Sequence, residues 1–438
     1  MPGIKRGTAY LLSMGCSKNT VDSERFAGTL RDAGYEIVPG ADGAEICLVN
    51  TCGFLREAVE ENIAAILDIV DLKSSGAVGR IAVVGCLVNR YGELGSEIPE
   101  VDFWGRCEDY VSLLRSMSRE DAAGEVSLNR EPLPGALSHV RYLKISEGCD
   151  NRCSYCAIPS IRGGLRSEPI SSVVGEANFL VESGAKELCL VGQDLTAYGR
   201  DHGKDNALLE LLDALESSLP KSVWIRLLYL QPDRVDTRLL ERMASGGLVL
   251  PYLDMPVQHS SPRVLAAMNR ESDREKLMSA FKAARKITPD FALRTTCMVG
   301  FPGEKKEDFD DLLRFLEEAS LDRVGAFSFS PEEETKAASM PDQTPRRTKL
   351  SRLGRLMSLQ ESISLARGNL FVGREMDVLI DAILEPGVAE GRSFREAPEV
   401  DGVIEIRNTR PDTKPGDSVR VIVTDAFEHD LIARETRV

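Results

Sequence analysis

Three cysteines within eight residues, Cys149-Asp150-Asn151-Arg152-Cys153-Ser154-Tyr155-Cys156, constrain this chain more than any other stretch. A zinc site normally takes four ligands, often as two separated pairs. Three thiolates on one short loop instead suit three corners of a 4Fe-4S cube and leave its fourth iron open to a ligand. A structural zinc and a plain electron-transfer cluster remain alternatives on spacing alone.

The setting supports reading cysteines as metal or redox chemistry. No window of the 438 residues approaches the roughly 18 uninterrupted apolar residues that span a bilayer. Residues 8–14, after Lys5 and Arg6, are too short an apolar run for a signal peptide. The expected location is therefore cytoplasmic with no membrane partner, a reducing compartment in which ten cysteines do not build a disulfide framework. With 54 Lys plus Arg against 69 Asp plus Glu, the net charge of −15 argues against bulk binding to a phosphate backbone.

Short apolar runs alternate with amphipathic stretches along most of the chain, the pattern of repeated βα units. In the first segment, residues 9–14, 45–50 and 80–84 read as strands, and 20–33, 55–72 and 89–94 as the helices after them, the first capped by Asn19 or Thr20. A cysteine sits just past each strand: Gly15-Cys16-Ser17, Thr51-Cys52-Gly53 and Gly85-Cys86-Leu87. In an open parallel sheet those ends line the ligand crevice, and an adjacent glycine lets backbone come close to a bulky group. Cys16, Cys52 and Cys86 are thus expected to meet. Cys47, Cys189 and Cys297 lie inside apolar strand runs and read as core, whereas Cys107 has no partner spacing.

After a Pro- and Gly-rich loop at 131–135, strands are expected at 140–145, 186–192, 223–229, 249–255, 291–299 and 323–330. Polar residues follow several of them: Gln193 with Asp194, and Gln258 with His259. Arg226 and Arg294 have the side chain that matches a carboxylate bidentately. Gly300-Phe301-Pro302-Gly303-Glu304-Lys305 lacks phosphate-loop spacing and reads as a turn into a helix. Residues 346–367 read as a basic amphipathic helix. From 371 to 438 a period-two pattern with Gly and Pro turns predicts a small all-β barrel, with strands at 376–383, 402–407 and 418–424. This piece carries nine Lys plus Arg against fifteen Asp plus Glu, whereas an RNA-binding barrel is more often basic.

The loop spacing, with Tyr155 before its third cysteine, resembles the radical S-adenosylmethionine (SAM) superfamily. Three early cysteines, that loop and a terminal β-barrel together resemble its methylthiotransferases over essentially the whole chain. The resemblance implies an α/β fold in three parts: an N-terminal open parallel α/β domain (1–125), a central partial (β/α)6 barrel (138–368) and a small OB-like TRAM barrel (370–438). It implies two 4Fe-4S clusters, one on Cys149, Cys153 and Cys156 and one on Cys16, Cys52 and Cys86, with two SAM consumed per turnover. Tyr155, Gln193, Arg226, Gln258 and Arg294 are the expected SAM contacts.

Two substrate classes divide that family, hypermodified adenosine in tRNA and an aspartate of small-subunit ribosomal protein twelve. Gln193-Asp194-Leu195-Thr196-Ala197-Tyr198-Gly199, Gln258-His259 and Glu428-His429-Asp430-Leu431 look like the ribosomal-protein branch. The acidic terminal barrel agrees, since that ribosomal protein is strongly basic. The resemblance also implies an electron donor such as flavodoxin or ferredoxin. The alternatives are a tRNA adenosine 2-methylthiotransferase, a radical methyltransferase, and a two-cluster electron carrier or sensor.

Overall fold

The computed structural model describes residues 7–117 and 129–436. Lys5, Arg6 and the expected domain boundary near residue 125 lie outside them. The chain forms two compact units: residues 1–136 with 147–150 and 156–165, and residues 137–146 with 151–155 and 166–438.

The first unit is a parallel sheet in the order β2-β1-β3-β4-β5: β1 (Gly7–Ser13), β2 (Tyr35–Val38), β3 (Ile46–Thr51), β4 (Arg80–Gly85) and β5 (Phe103–Gly105). Its helices are α1 (Ser17–Asp32), α2 (Arg56–Ser74), the short α3 (Cys86–Arg90) and α4 (Leu94–Glu97), α5 (Tyr110–Met117) and α6 (Ile158–Arg162). All six residues of β3 are buried, as the central strand of a parallel sheet covered on both faces requires. Apolar residues cover the two faces separately, Phe26, Leu30 and Leu48 on one and Val49, Ile66 and Ile81 on the other.

The expected βα alternation is present, with differences. β2 and β5 have only four and three residues, too short for a periodic signal. The helix expected at 89–94 begins earlier, at Cys86, because Gly85 (φ +108°) turns the chain sharply at the strand end. Cys16, rather than Asn19 or Thr20, is the N-cap of α1.

The second unit holds six parallel strands in sequence order: β6 (Val140–Lys144), β9 (Glu187–Val191), β10 (Trp224–Leu227), β11 (Tyr252–Asp254), β12 (Ala292–Val299) and β13 (Arg323–Ser328). An isolated parallel bridge, Ile225 to Val249, joins the two three-stranded halves. Two-residue strands β7 (Ser146–Glu147) and β8 (Arg166–Ser167) pair on either side of the cysteine loop. Helices α7 (Ile170–Glu182), α8 (Ala207–Ser218), α9 (Thr237–Met243), α10 (Pro262–Ala267), α11 (Arg274–Ile287) and α12 (Lys306–Ala319) connect the strands. Asp236 and Asp273 cap α9 and α11 by accepting from Leu239 and Lys276 N–H groups at 2.9 Å each. Cys189 and Cys297 lie fully buried in this core, as Cys47 does in the first unit.

Helix α13 (Arg346–Asn369) leads to the terminal barrel. It is basic as expected, but its fully buried line, Leu356, Gln360, Ser364 and Gly368, is half polar. Gln360 and Ser364 donate to the Leu321 and Asp322 carbonyls at 3.0 and 2.9 Å. The barrel is closed, in the order β14-β15-β16-β18-β17: β14 (Glu375–Glu385), β15 (Val388–Arg392), β16 (Ile404–Arg407), β17 (Ser418–Ala426) and β18 (Leu431–Glu435). Five strands form where the sequence pattern predicts three. β15 carries Gly391 and charged residues in place of alternation, and β18 has only five residues.

Candidate active site

The ends of β1, β3 and β4 lie side by side, with Ser13 opposite Asn50 and Thr51 opposite Gly85, so the cysteine after each strand emerges along one edge. Cys16 is exposed, Cys52 partly buried and Cys86 buried. Glycines allow the close approach: a Cβ on Gly15 would stand 2.9 Å from that of Cys52, and one on Gly53 2.7 Å from the Cys86 carbonyl oxygen. Asn19, 1% exposed, ties the edge together. Its amide donates to the Met14 and Thr51 carbonyls at 2.9 and 2.8 Å. The Cys52 N–H donates to Asn62 Oδ1 at 2.9 Å.

Burial pushes the Cys52 thiol up to about 11, and neighbouring Cys86 and Cys16 add to the rise. Cys86 is pushed down to about 6 by a hydrogen bond from Cys107, with Arg162 helping against burial. Mutual repulsion of three clustered thiolates is what a cationic iron-sulfur core relieves, so this donor set fits such a group. Among the described residues no three His, Cys, Asp or Glu side chains converge tightly enough to clasp a single metal ion. A cubane is larger than one ion and asks for thiols held further apart.

The second cysteine loop is anchored at both ends. In the first unit, the Cys149 N–H donates to the Gly163 carbonyl at 3.1 Å. A Cβ on Gly148 (φ +75°) would overlap the Gly164 carbonyl, so only glycine fits before Cys149. In the second unit, the Ser154 N–H and hydroxyl donate to the Met268 and Ala267 carbonyls at 3.0 and 2.8 Å. Arg270 donates to the Tyr155 hydroxyl at 3.4 Å and also hydrogen-bonds Cys153. Cys149, Cys153 and Cys156 are all partly exposed and undisulfided, as ligands to an added cluster must be.

Around the six-stranded array, the expected SAM contacts separate into two groups. Gln193 follows β9, where a Cβ on Gly192 would meet Ser146 Oγ at 2.6 Å. Gln258 adopts φ +67°, and its Oε1 is buried without a hydrogen-bond partner among the described residues. That strained backbone is held by β12, with the Gln258 N–H donating to the Thr296 carbonyl at 2.9 Å and the Met298 N–H to the Gln258 carbonyl at 2.7 Å, while the next residue, His259, accepts at Nδ1 from the Ser260 and Ser261 N–H groups at 2.9 Å each. Tyr155 packs against a buried apolar cluster that includes Met268 and Phe301.

The two arginines both have carboxylate partners on neighbouring strands. Arg226 is fully buried; its Nε donates to Glu187 at 2.6 Å, and its other nitrogens donate to the Phe394 and Ser393 carbonyls at 2.8 and 3.2 Å. Arg294 donates to Asp254 at 2.8 Å and lies 3.4 Å from Asp401. Asp194 accepts from Asn151, Thr196 and Arg234 at 2.8, 3.0 and 2.6 Å, so it braces the cysteine loop. At the rejected phosphate loop, Glu304 accepts from the Gly300 and Phe301 N–H groups at 2.6 and 3.2 Å, filling the place an anion would take.

Asn62, Arg162 and Arg270 are absent from the sequence-based site. Only Arg162 carries a sequence signal, a cation ending the apolar run Ala157-Ile158-Pro159-Ser160-Ile161.

Family models match three stretches: the radical SAM superfamily over residues 143–316, the uncharacterized protein family UPF0004 over 8–105, and the TRAM domain over 372–435. A ribosomal protein uS12 methylthiotransferase RimO from Anaeromyxobacter sp. (strain K) is 42% identical, covering 97% of this chain and 92% of its own. Those of Aquifex aeolicus and Thermus thermophilus are also 42% identical, over 97% and 96% of this chain and 96% and 98% of theirs. Among solved structures, the radical SAM methyltransferase TsrM from Kitasatospora setae aligns with a TM-score of 0.52 at 13% identity, over 74% of this chain and 75% of that one, a likeness of fold alone. No described helix is long and apolar enough to cross a membrane. With relatives at this identity over nearly its full length, the chain belongs to the uS12 methylthiotransferase family of radical SAM enzymes.

Proposed function

We propose that this chain replaces a hydrogen on the β-carbon of an aspartate in ribosomal protein uS12 by a methylthio group, using two 4Fe-4S clusters and SAM in the cytoplasm. The observation that carries the reading is the row of three cysteines on adjacent strand ends, in a chain that also carries a separate three-cysteine loop. The target C–H bond is beyond any side-chain base, so the chemistry must come from cofactors. When bound, they supply one electron, a carbon radical able to take hydrogen, and the sulfur and methyl of the transferred group.

The residues of the chain hold and orient. Cys149, Cys153 and Cys156 supply three thiolates to one cluster, and Cys16, Cys52 and Cys86 three to the other. Three ligands rather than four leave one iron of each open, for SAM in the first case and for sulfur in the second. Asn19 and Asn62 fix the strand-end loops that carry Cys16 and Cys52. Tyr155, Gln193 and Gln258 are the side chains proposed to meet SAM. The acidic terminal barrel favours a basic protein partner over RNA. Electrons come from a small carrier of the flavodoxin or ferredoxin class.

The test is mass spectrometry of uS12 and of total tRNA nucleosides from cells with and without the gene. The expected result is loss of about 46 mass units, a methylthio group for a hydrogen, from one aspartate-containing uS12 peptide when the gene is deleted. Loss of a methylthiolated adenosine with uS12 unchanged would overturn the protein-substrate reading.

A further inference from the structure

Arg162 closes α6, six residues beyond Cys156 in the sequence, and its side chain is 3% exposed. Each guanidinium nitrogen is used. Nε donates to Cys86 Sγ at 3.1 Å, one terminal nitrogen donates to Asp22 and Glu147 at 3.0 and 2.9 Å, and the other to Asn19 Oδ1 at 2.7 Å. Asn19 spans the ends of β1 and β3. Glu147 stands two residues before Cys149. One buried cation therefore touches a cysteine of the first set, the amide that aligns that set, and the segment entering the second set, all within the first unit.

We infer that Arg162 is a positioning residue that fixes Cys86 for the Cys16, Cys52 and Cys86 cluster and raises the reduction potential of that cluster. The inference rests on the two-cluster reading above. Its physical basis is general: a hydrogen bond to a ligating sulfur and a nearby positive charge both stabilise the reduced, more negative state of an iron-sulfur centre. Arg162 supplies both from a water-poor position, where charge is weakly screened. Its planar fork also meets four acceptors at once, which a lysine ammonium at the end of a flexible stem does not reproduce.

The experiment uses the full chain with Cys149→Ala, Cys153→Ala and Cys156→Ala, so that only the first set holds a cluster. This parent, and the same protein with Arg162→Gln or Arg162→Lys, are reconstituted with iron and sulfide. Iron is counted, and the midpoint potential is read by electron paramagnetic resonance during a redox titration. Arg162→Gln is expected to shift the reduction equilibrium roughly tenfold toward the oxidised form, about 59 mV lower for a one-electron couple. Arg162→Lys, which keeps the charge and serves if the glutamine variant fails to fold, is expected to fall between that value and the parent. Equal potentials in parent and variants, or a higher one in either variant, would overturn the inference. A parent that binds no iron overturns it together with the two-cluster reading, whereas a normal cluster with an unmoved potential overturns it alone.

Discussion

Asn19 shows how one side chain sets the geometry of three loops. It is buried in the first turn of α1, donates to carbonyls at the ends of β1 and β3, and accepts from Arg162 beside Cys86. Replacing it with alanine strands the buried Thr51 carbonyl, the partly buried Met14 carbonyl and the Arg162 terminal nitrogen. Asn19→Ala is expected to cost about 1–3 kcal/mol for the unmet buried groups, read as a lower melting temperature of the apoprotein, and to lower iron retention by the neighbouring cysteines. Its sequence signal was ambiguous, since an asparagine near a helix start reads as a cap. The structure gives the cap to Cys16 and spends Asn19 on tertiary bonds.

His259 makes a residue-scale prediction with a sign. Burial pushes its ionisation down from 6.5 to about 4, while its Nδ1 accepts two backbone N–H groups. Between pH 6.5 and about 4 the unfolded chain takes up a proton that the folded one refuses, so the His259 contribution is intact above pH 6.5 and is lost as the pH falls toward 4. Melting temperatures over that range should fall less steeply for His259→Asn than for the wild type. Parallel slopes would show that His259 does not titrate this way.

At the scale of elements, the strand-end glycines decide whether three loops can converge. A Cβ on Gly85 would lie 2.5 Å from Asn50 Oδ1 and 2.6 Å from the Thr51 carbonyl oxygen, at a backbone φ of +108°. Gly85→Ala must therefore both strain the turn and push the end of β4 from that of β3. The expected outcome is loss of roughly half the bound iron with SAM cleavage by the other cluster retained; full iron content would refute the steric account. These glycines and cysteines were legible from sequence because each falls at the end of an apolar run, where only chain reversal and ligand approach explain the pair. The carboxylate partners of Arg226 and Arg294 were not legible. A strand-borne arginine looks the same whether it faces a ligand or a buried carboxylate, and the partners Glu187 and Asp254 belong to other strands.

At the scale of the molecule, the second unit is held by charge as well as by apolar packing. Glu187 on β9 accepts from Arg226 on β10 and from Arg392 on β15, at 2.6 Å each, and Arg392 also meets Asp381, which pairs with His139 at 2.8 Å. This buried chain of ion pairs joins the six-stranded array to the terminal barrel inside one unit. The order of βα units and the existence of a terminal β-barrel were readable from periodicity, but such a network is not, because three of its four bonded pairs stand 39, 205 and 242 residues apart. Arg226→Met leaves Glu187 with one cation and frees two carbonyls of the barrel, and should destabilise the unit by roughly 3–5 kcal/mol. SAM affinity measured at a temperature where the variant stays folded should be unchanged, since Arg226 is fully buried among these partners.

The central claim is a division of labour between two three-cysteine sets, and a parallel assay of 5′-deoxyadenosine and methylthiolated uS12 peptide tests it most directly. With reconstituted enzyme, SAM and reductant, Cys153→Ala is predicted to abolish both products. Cys52→Ala should keep forming 5′-deoxyadenosine while making no methylthiolated peptide. Methylthiolated peptide from Cys52→Ala, or normal SAM cleavage by Cys153→Ala, would contradict the account.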